Sequence, residues 1–442
     1  MLNVLANCLL SATLAVAPGD EGLPAPGEIG GPELTYRAAK ILTMAQEGPM
    51  VVNNGVVVVR NGLIAFVGKE RDLPVSDSRE ITDLGDLWLM PGMIDLHTHE
   101  SGMSLYQGND LNDTVYLTNP GLRASAAVLP GNSPSMRAAS VGVTTVLYIP
   151  GSGSNMGGAG VLLKTGFDKY EEAELRNPGS LKLAQAGNPE SWVMGVNRSF
   201  MNWNTRNTFK RGLAYAAKWA AYEDAADDEK GEAPLVDPQW ELFRALAKGE
   251  AQVSTHTQIY QVVLETLTMV RQEFGLDVYI DHGTIGAWRL GGMAEELGVQ
   301  AILGPRNVDS PSRGFMRWAG NIEAEGFRGV AAGYQEAGHK WIGFNTDAPI
   351  ISDEEFVIQA AMAVRFGLND TQMDSVRGLT IVPAVAAGVE DKVGSIEVGK
   401  HADLILINGH PADPRSRIEK VLIEGRQVFD RDTTTSADAR AK

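Results

Sequence analysis

Apolar and polar positions alternate in two different rhythms along this chain. From about Leu34 to Leu89, short apolar runs are punctuated by tight-turn pairs. Val56-Val57-Val58-Val59 lies between Asn54-Gly55 and Asn61-Gly62, and Asn-Gly pairs suit the left-handed positions of hairpin turns. The same grammar returns near the other end, where Ala402–Ile407 leads into Asn408-Gly409 and Lys420–Ile423 into Glu424-Gly425. Between these ends, from about Pro91 to Gly388, short apolar stretches alternate with segments of helical period. The predicted strands are Met93–His97, Thr144–Ile149, Val161–Lys164, Leu181–Ala184, Gln252–Thr255, Val278–Asp281, Gln300–Leu303 and Trp341–Asn345. Helical period is strongest over Phe209–Ala226, where Leu213, Ala216, Ala217 and Ala220 share one face, and over Ile259–Phe274. Eight strand-then-helix repeats over roughly 250 to 300 residues predict an α/β fold, a (β/α)8 TIM-like barrel. Its span is 91–388. Segments 34–90 and 389–430 are expected to join as a small β-sandwich, with 431–442 as a disordered tail. An open doubly wound sheet competes, but it calls for a glycine-rich phosphate loop after the first strand, where a histidine pair stands instead.

Residues Leu2 to Ala17 form an apolar leader ending in Ala15-Val16-Ala17. It is too short for a stable membrane anchor and carries the small-residue pattern of a signal-peptidase site. Residues 1–17 therefore read as a secretory signal, which predicts a periplasmic or extracellular protein with no membrane contact in its mature form. An unprocessed leader would leave the protein cytoplasmic; the absence of Lys or Arg before the apolar run and Pro18 directly after the cut point that way. Cys8, the only cysteine, lies inside the leader. A processed chain thus has no disulfide, no cysteine-bound zinc and no thiol nucleophile.

Composition narrows the partner. The chain has 442 residues, with 55 acidic against 38 basic side chains and a formal charge of −17. Nucleic acid and anionic membranes require basic patches, and no Lys/Arg-rich run exists. Small molecules are the expected partners. The acidic run Glu223 to Glu232 reads as a solvated helix end.

The chemistry concentrates in Pro91-Gly92-Met93-Ile94-Asp95-Leu96-His97-Thr98-His99. Residues two apart on a strand face the same way, so His97 and His99 can present two imidazoles to one ion. Alone, such a pair is weak evidence. However, His256 and His282 also fall at the carboxyl ends of predicted strands, as does Asp347. In a barrel those ends converge on the face that carries catalytic groups. Lys182 and Lys164 also lie at strand ends, and the bland reading of either is a solvent-facing lysine. His339, His401 and His410 fall elsewhere and are not expected to be ligands. No serine sits in a recognisable nucleophile elbow.

From Leu34 to Phe429 the chain resembles the metal-dependent amidohydrolase superfamily, closest to its imidazolonepropionase-related group. Pro91 to His99 is similar to the first-strand metal motif. Pro150-Gly151-Ser152-Gly153-Ser154-Asn155 with Gly157-Gly158 resembles a glycine-rich loop of the group, and Leu181-Lys182-Leu183-Ala184 its fourth-strand lysine segment. Thr346-Asp347-Ala348-Pro349 resembles the last-strand aspartate motif, and Gly394 to Leu404 the re-entry into the sandwich. The resemblance implies that His97, His99 and Asp347 bind one metal. It implies that His256 and His282 bind a second or, in one-metal members, hold the single ion and polarise the substrate carbonyl. It also implies that Lys182 carries a carbamate bridging two cations, which a neutral, desolvated amine can form with carbon dioxide; Lys164 is the rival. Imidazole and carboxylate ligands suit Zn²⁺, which activates water, with Asp347 as general acid and base and His282 beside it.

Arg306, after the seventh predicted strand, is a candidate to grip a substrate carboxylate, and Tyr106, near Asn112-Asp113, a candidate to line the pocket. The expected reaction is hydrolysis of an amide or cyclic amide; a metallodipeptidase acting on Xaa-Pro or related dipeptides is the alternative. Deamination is disfavoured because Ile259 stands where deaminases of the superfamily carry a glutamate. A non-catalytic scaffold would predict a broken ligand set, whereas His97, His99, His256, His282 and Asp347 are all present. Homo-oligomers are common in the family, but nothing in the sequence fixes a subunit number.

Overall fold

The computed structural model describes residues 33–74, 80–102, 113, 116–185, 189–190, 197–305, 307–309 and 328–433. The leader, most of the tail, Tyr106, Asn112 and Arg306 lie outside the described residues.

Both ends of the chain enter one sheet. Its amino-terminal strands are β1 (Leu34–Leu42), β2 (Val51–Arg60), β3 (Leu63–Lys69), β4 (Thr82–Asp83) and β5 (Trp88–Pro91). Asn61-Gly62 closes the β2–β3 hairpin with both residues at positive φ, as a two-residue turn of this hand requires. Asn54-Gly55 does not turn the chain. It lies within β2, and a β-carbon on Gly55 would come 2.6 Å from Ile41 Cδ1, so glycine serves close packing there.

The second sheet holds β6 (Met93–Thr98), β7 (Val143–Tyr148), β8 (Met156–Lys164), β9 (Glu174–Ala184), β10 (Gln252–Thr257), β11 (Val278–His282) and β12 (Ala301–Leu303). A two-stranded ladder, β13 (Val308–Asp309) with β14 (Arg328–Gly329), precedes the eighth barrel strand, β15 (Ile342–Phe344). The order is β15-β12-β11-β10-β9-β8-β7-β6. Its two edges meet where Thr98 bridges Ala348 and the His99 amide donates to the Ala348 carbonyl at 2.9 Å, which makes the sheet a nearly closed barrel. Helix Phe356–Arg365 packs against β15, and helix Arg198–Asp224 packs on helix Glu241–Lys248, which lies against β9. Strands β10 and β11 are buried along their whole length, although β10 reads Gln-Val-Ser-Thr-His-Thr and β11 ends in Asp281-His282. The chain then returns to the first sheet through β16 (Leu404–Ile407), β17 (Ile418–Ile423) and β18 (Arg426–Asp430). There β16 pairs with β5, and the common sheet is the part of the expected sandwich that the described residues carry.

The strict strand-then-helix repeat fails at one place. Strand β8 runs antiparallel to both β7 and β9, because the short link from Ile149 to Asn155 cannot carry a parallel crossover, which needs about a dozen residues. This reversal sends Lys164, at the end of β8, to the amino-terminal face of the barrel. There it forms a buried ion pair with Asp403, which also accepts from the Glu424 amide at 3.0 Å. Lys164 therefore does not reach the other candidate residues and ties the barrel to the end sheet. Lys164→Met should destabilise the protein by about 3–5 kcal/mol, since it strands a buried carboxylate. Urea unfolding measures this; a loss under about 1 kcal/mol would contradict the buried-pair assignment.

Candidate metal centre

Strand ends build the site. Strands β6, β9, β10 and β11 bring His97, Lys182, His256 and His282 to the carboxyl-terminal face; His99 follows β6 and Asp347 follows β15. His282 and Asp347 both adopt positive φ, 72° and 52°. Backbone of that kind is costly for residues with a side chain and persists where the surroundings over-determine it, as at functional sites.

Hydrogen bonds fix which ring nitrogen each histidine offers. His97 Nδ1 lies 2.6 Å from Asp281 Oδ2, His99 Nδ1 lies 2.8 Å from the Ile149 carbonyl, and His282 Nδ1 lies 2.8 Å from the Gly304 carbonyl. Each oxygen only accepts, so each Nδ1 carries the proton. In the neutral rings every Nε2 is then a lone pair. Yet His97 Nε2 and His99 Nε2 face one another at 3.2 Å, with Asp347 Oδ1 at 3.1 and 3.3 Å from them. Atoms at that spacing need a positive charge among them, which a metal ion supplies and, in its absence, a proton on His97 supplies. A tetrahedral ion with bonds of about 2.0 Å has ligand–ligand edges of about 3.3 Å, so these residues fit a zinc-like ion. His282 Nε2 likewise stands 3.0 Å from His256 Nδ1, which Ser152 Oγ approaches at 2.8 Å. Lys182, fully buried, places Nζ 3.1 Å from His97 Nε2. The His97, Asp281 and His282 side chains form a second group able to hold a metal.

Electrostatics agree with a cation site. Burial disfavours a charged His97, but the Asp281 and Asp347 carboxylates outweigh it and Lys182, lifting the imidazole to about 9. Burial, together with the charges of His282 and Lys182, holds His256 well below the usual histidine range. Burial raises Asp347, yet His97, His99 and His282 hold it well below the ordinary carboxylate value. His256 is thus neutral and Asp347 ionised at neutral pH, the forms that bind metal.

This yields a pH prediction. His97's value lies above its unfolded 6.5, so in chelator-stripped protein its proton stabilises the fold fully below 6.5. That stability is lost as pH rises through about 9. Zn²⁺ uptake near pH 7.5 should displace about one proton per ion bound at this residue, and uptake at pH 9.5 about none. Titration in weakly buffered solution measures it; equal release at both values would contradict the assignment.

Sequence reasoning passed over three residues here. Asp281 orients His97, and Asn345 Nδ2 donates to it at 2.9 Å. Strand alternation would aim Asp281 away from its neighbour His282, and only the positive φ of His282 lets both face inward. Ser152 sits in the glycine-rich loop already singled out, but its contact with His256 is long-range. Asp95 accepts from the His97 and Thr346 amides, at 2.9 and 3.0 Å, tying the two ligand-bearing segments together. His339, His401 and His410 lie elsewhere, near Glu295, Glu424 and Asp370.

The amidohydrolase family model matches residues 316–428. Amidohydrolase tasK of Hapsidospora irregularis is 24% identical over 416 residues, 85% of this chain and 40% of that protein. The imidazolonepropionase of Agrobacterium fabrum strain C58 is 47% identical over 68 residues, 14% of this chain and 16% of that protein. The matched region is thus less than half the length of either curated relative. Among solved structures, an amidohydrolase from Thermotoga maritima MSB8 superposes with a TM-score of 0.75 at 27% identity, covering 90% of this chain and all of that one. A prolidase complexed with N-methylphosphonate-L-proline shares the fold, with a TM-score of 0.54, 16% identity and the same coverage.

Proposed function

This chain belongs to the amidohydrolase superfamily, and from that premise we propose that it is a metal-dependent hydrolase of a carbon–nitrogen bond in a small amide, cyclic amide or dipeptide. The observation that carries the reading is the facing of His97 Nε2, His99 Nε2 and Asp347 Oδ1 at 3.1 to 3.3 Å. These three residues would hold one divalent ion, and His256 with His282 would hold a second. Bound Zn²⁺ would lower the pKa of a water to about 7 and polarise the substrate carbonyl.

The chain's own groups do the rest. Asp347, whose side chain is 15% exposed while the histidines are almost sealed, is the ionised carboxylate facing substrate. It takes the proton of the attacking water and returns it to the departing nitrogen. His282, whose Nδ1 donates to the Gly304 carbonyl at 2.8 Å, keeps its Nε2 turned towards His256, where the second ion would lie. Lys182 acts as a carbamate. An ammonium 3.1 Å from His97 Nε2 would repel a cation, whereas the neutral amine adds carbon dioxide, loses one proton and gains a charge of −1. This lysine favours dipeptides and acyl amino acids, while the segment resembling an imidazolonepropionase favours a cyclic amide. We also propose that the apolar leader directs export, which amino-terminal sequencing of secreted protein tests; an intact leader on cytoplasmic protein would contradict it.

The test is a panel of Xaa-Pro dipeptides, N-acetyl amino acids and cyclic amides, assayed before and after chelation. Hydrolysis of one class, abolished by chelation and restored by Zn²⁺, is expected. Turnover undiminished after verified metal removal would overturn the reading.

A further inference from the structure

The backbone that leaves β11 is held in a costly shape. Four of the five residues from His282 to Gly286 have positive φ: 72° at His282, 55° at Gly283, 49° at Ile285 and 72° at Gly286. Glycine takes this conformation freely, whereas histidine and above all a β-branched isoleucine resist it. Such backbone persists where neighbouring groups hold it. The whole turn is buried, so bulk water is not the holder.

The holding group is a carboxylate. Asp309 Oδ1 accepts from the Ile285 amide and Oδ2 from the Gly286 amide, each at 2.8 Å. Successive amides converge on one anion where a left-handed residue bends the chain. The two bonds therefore stabilise the same conformation that Ile285 resists. Bonds to a charged acceptor are the stronger kind.

The connection that carries Asp309 also touches His282 directly. It leaves β12 through Gly304, whose carbonyl accepts from His282 Nδ1 at 2.8 Å, and reaches Asp309 in β13. One end of this connection fixes the imidazole ring and the other fixes the backbone behind it. Together they leave His282 Nε2 standing 3.0 Å from His256 Nδ1. A further contact steadies the turn without touching its amides: Arg328, opposite Asp309 in the β13–β14 ladder, lies over the Trp288 ring at 4.1 Å.

We propose that Asp309 is a positioning residue for the metal centre. By clamping the Ile285 and Gly286 amides it holds His282 in the left-handed backbone from which the imidazole faces His256, and so sets the affinity of the second metal position. This rests on the two-ion reading above and assigns Asp309 no contact with ion or substrate.

Zn²⁺ titration of chelator-stripped protein, with elemental analysis, tests this in Asp309→Ala and Asp309→Asn, beside hydrogen exchange of the metal-free proteins read by mass spectrometry. Asp309→Ala should bind the second ion about 10- to 100-fold more weakly, with the first, at His97, His99 and Asp347, unchanged. Asparagine keeps one acceptor but turns its NH₂ towards an amide donor, so Asp309→Asn should fall between parent and alanine variant. It also serves should Asp309→Ala fail to fold. Peptides covering His282 to Gly286 should exchange about tenfold faster in Asp309→Ala, and those covering His97 and Asp347 at the parent rate. Arg328→Met is the control for loosening alone, since it removes the cation over Trp288 and spares the carboxylate; it should keep both ions. Unchanged affinity for the second ion, unchanged exchange over His282 to Gly286, or an equal loss in Arg328→Met would each overturn the proposal. A parent protein that takes up only one ion would overturn the two-ion reading itself, and exchange then decides the clamp on its own.

Discussion

Asp347→Asn is expected to lower kcat by about 10²- to 10⁴-fold with little change in KM. The substitution removes the proton acceptor and replaces a charged metal ligand by a neutral one, so metal content is measured beside kcat. Asparagine keeps an oxygen where Asp347 Oδ1 faces His97 and His99, and it tolerates positive φ about as well as aspartate, so the 52° backbone at this position adds no new strain. What disappears is a carboxylate that His97, His99 and His282 hold ionised against its burial. A kcat within tenfold of the parent would remove Asp347 from the reaction.

Lys182→Met should reduce bound metal from about two ions per chain towards one or none, with activity falling in step. Methionine has comparable length and suits a site with no solvent exposure, so the fold should survive. The loss concerns charge. Without the amine no carbamate forms, and two cations held by imidazoles and one carboxylate repel one another. Lys164→Met is the matched control, since Lys164 pairs with Asp403 at the far end of the barrel. It should lose stability but keep its metal. Added bicarbonate should raise metal content only where Lys182 is present. Two ions retained in Lys182→Met would exclude a bridging role.

Much of this site was legible in the sequence because barrel topology turns strand ends into a meeting place. His97, His99, His256, His282, Lys182 and Asp347 could be assigned to one face before any distance was known. The antiparallel turn of β8 was not legible, because apolar runs carry no sign of direction; only the short link from Ile149 to Asn155 hints at it. That reversal separates Lys182 from Lys164, two lysines that look alike as strand ends. Asn54-Gly55 shows the opposite limit, since the same pair that turns a hairpin at Asn61-Gly62 lies within β2. Helix Arg198–Asp224 begins well before Phe209, where its apolar rhythm starts. Its early turns are anchored by polar bonds such as Asn204 Nδ2 to Asn155 Oδ1, at 2.7 Å, which hydrophobic periodicity does not register.

The most direct test of the metal centre is X-ray absorption on purified protein, with elemental analysis of the same sample. Bound divalent metal with nitrogen and oxygen ligands at about 2.0–2.1 Å is expected, as zinc with histidine and carboxylate shows. A folded protein that neither retains nor takes up such an ion would contradict it.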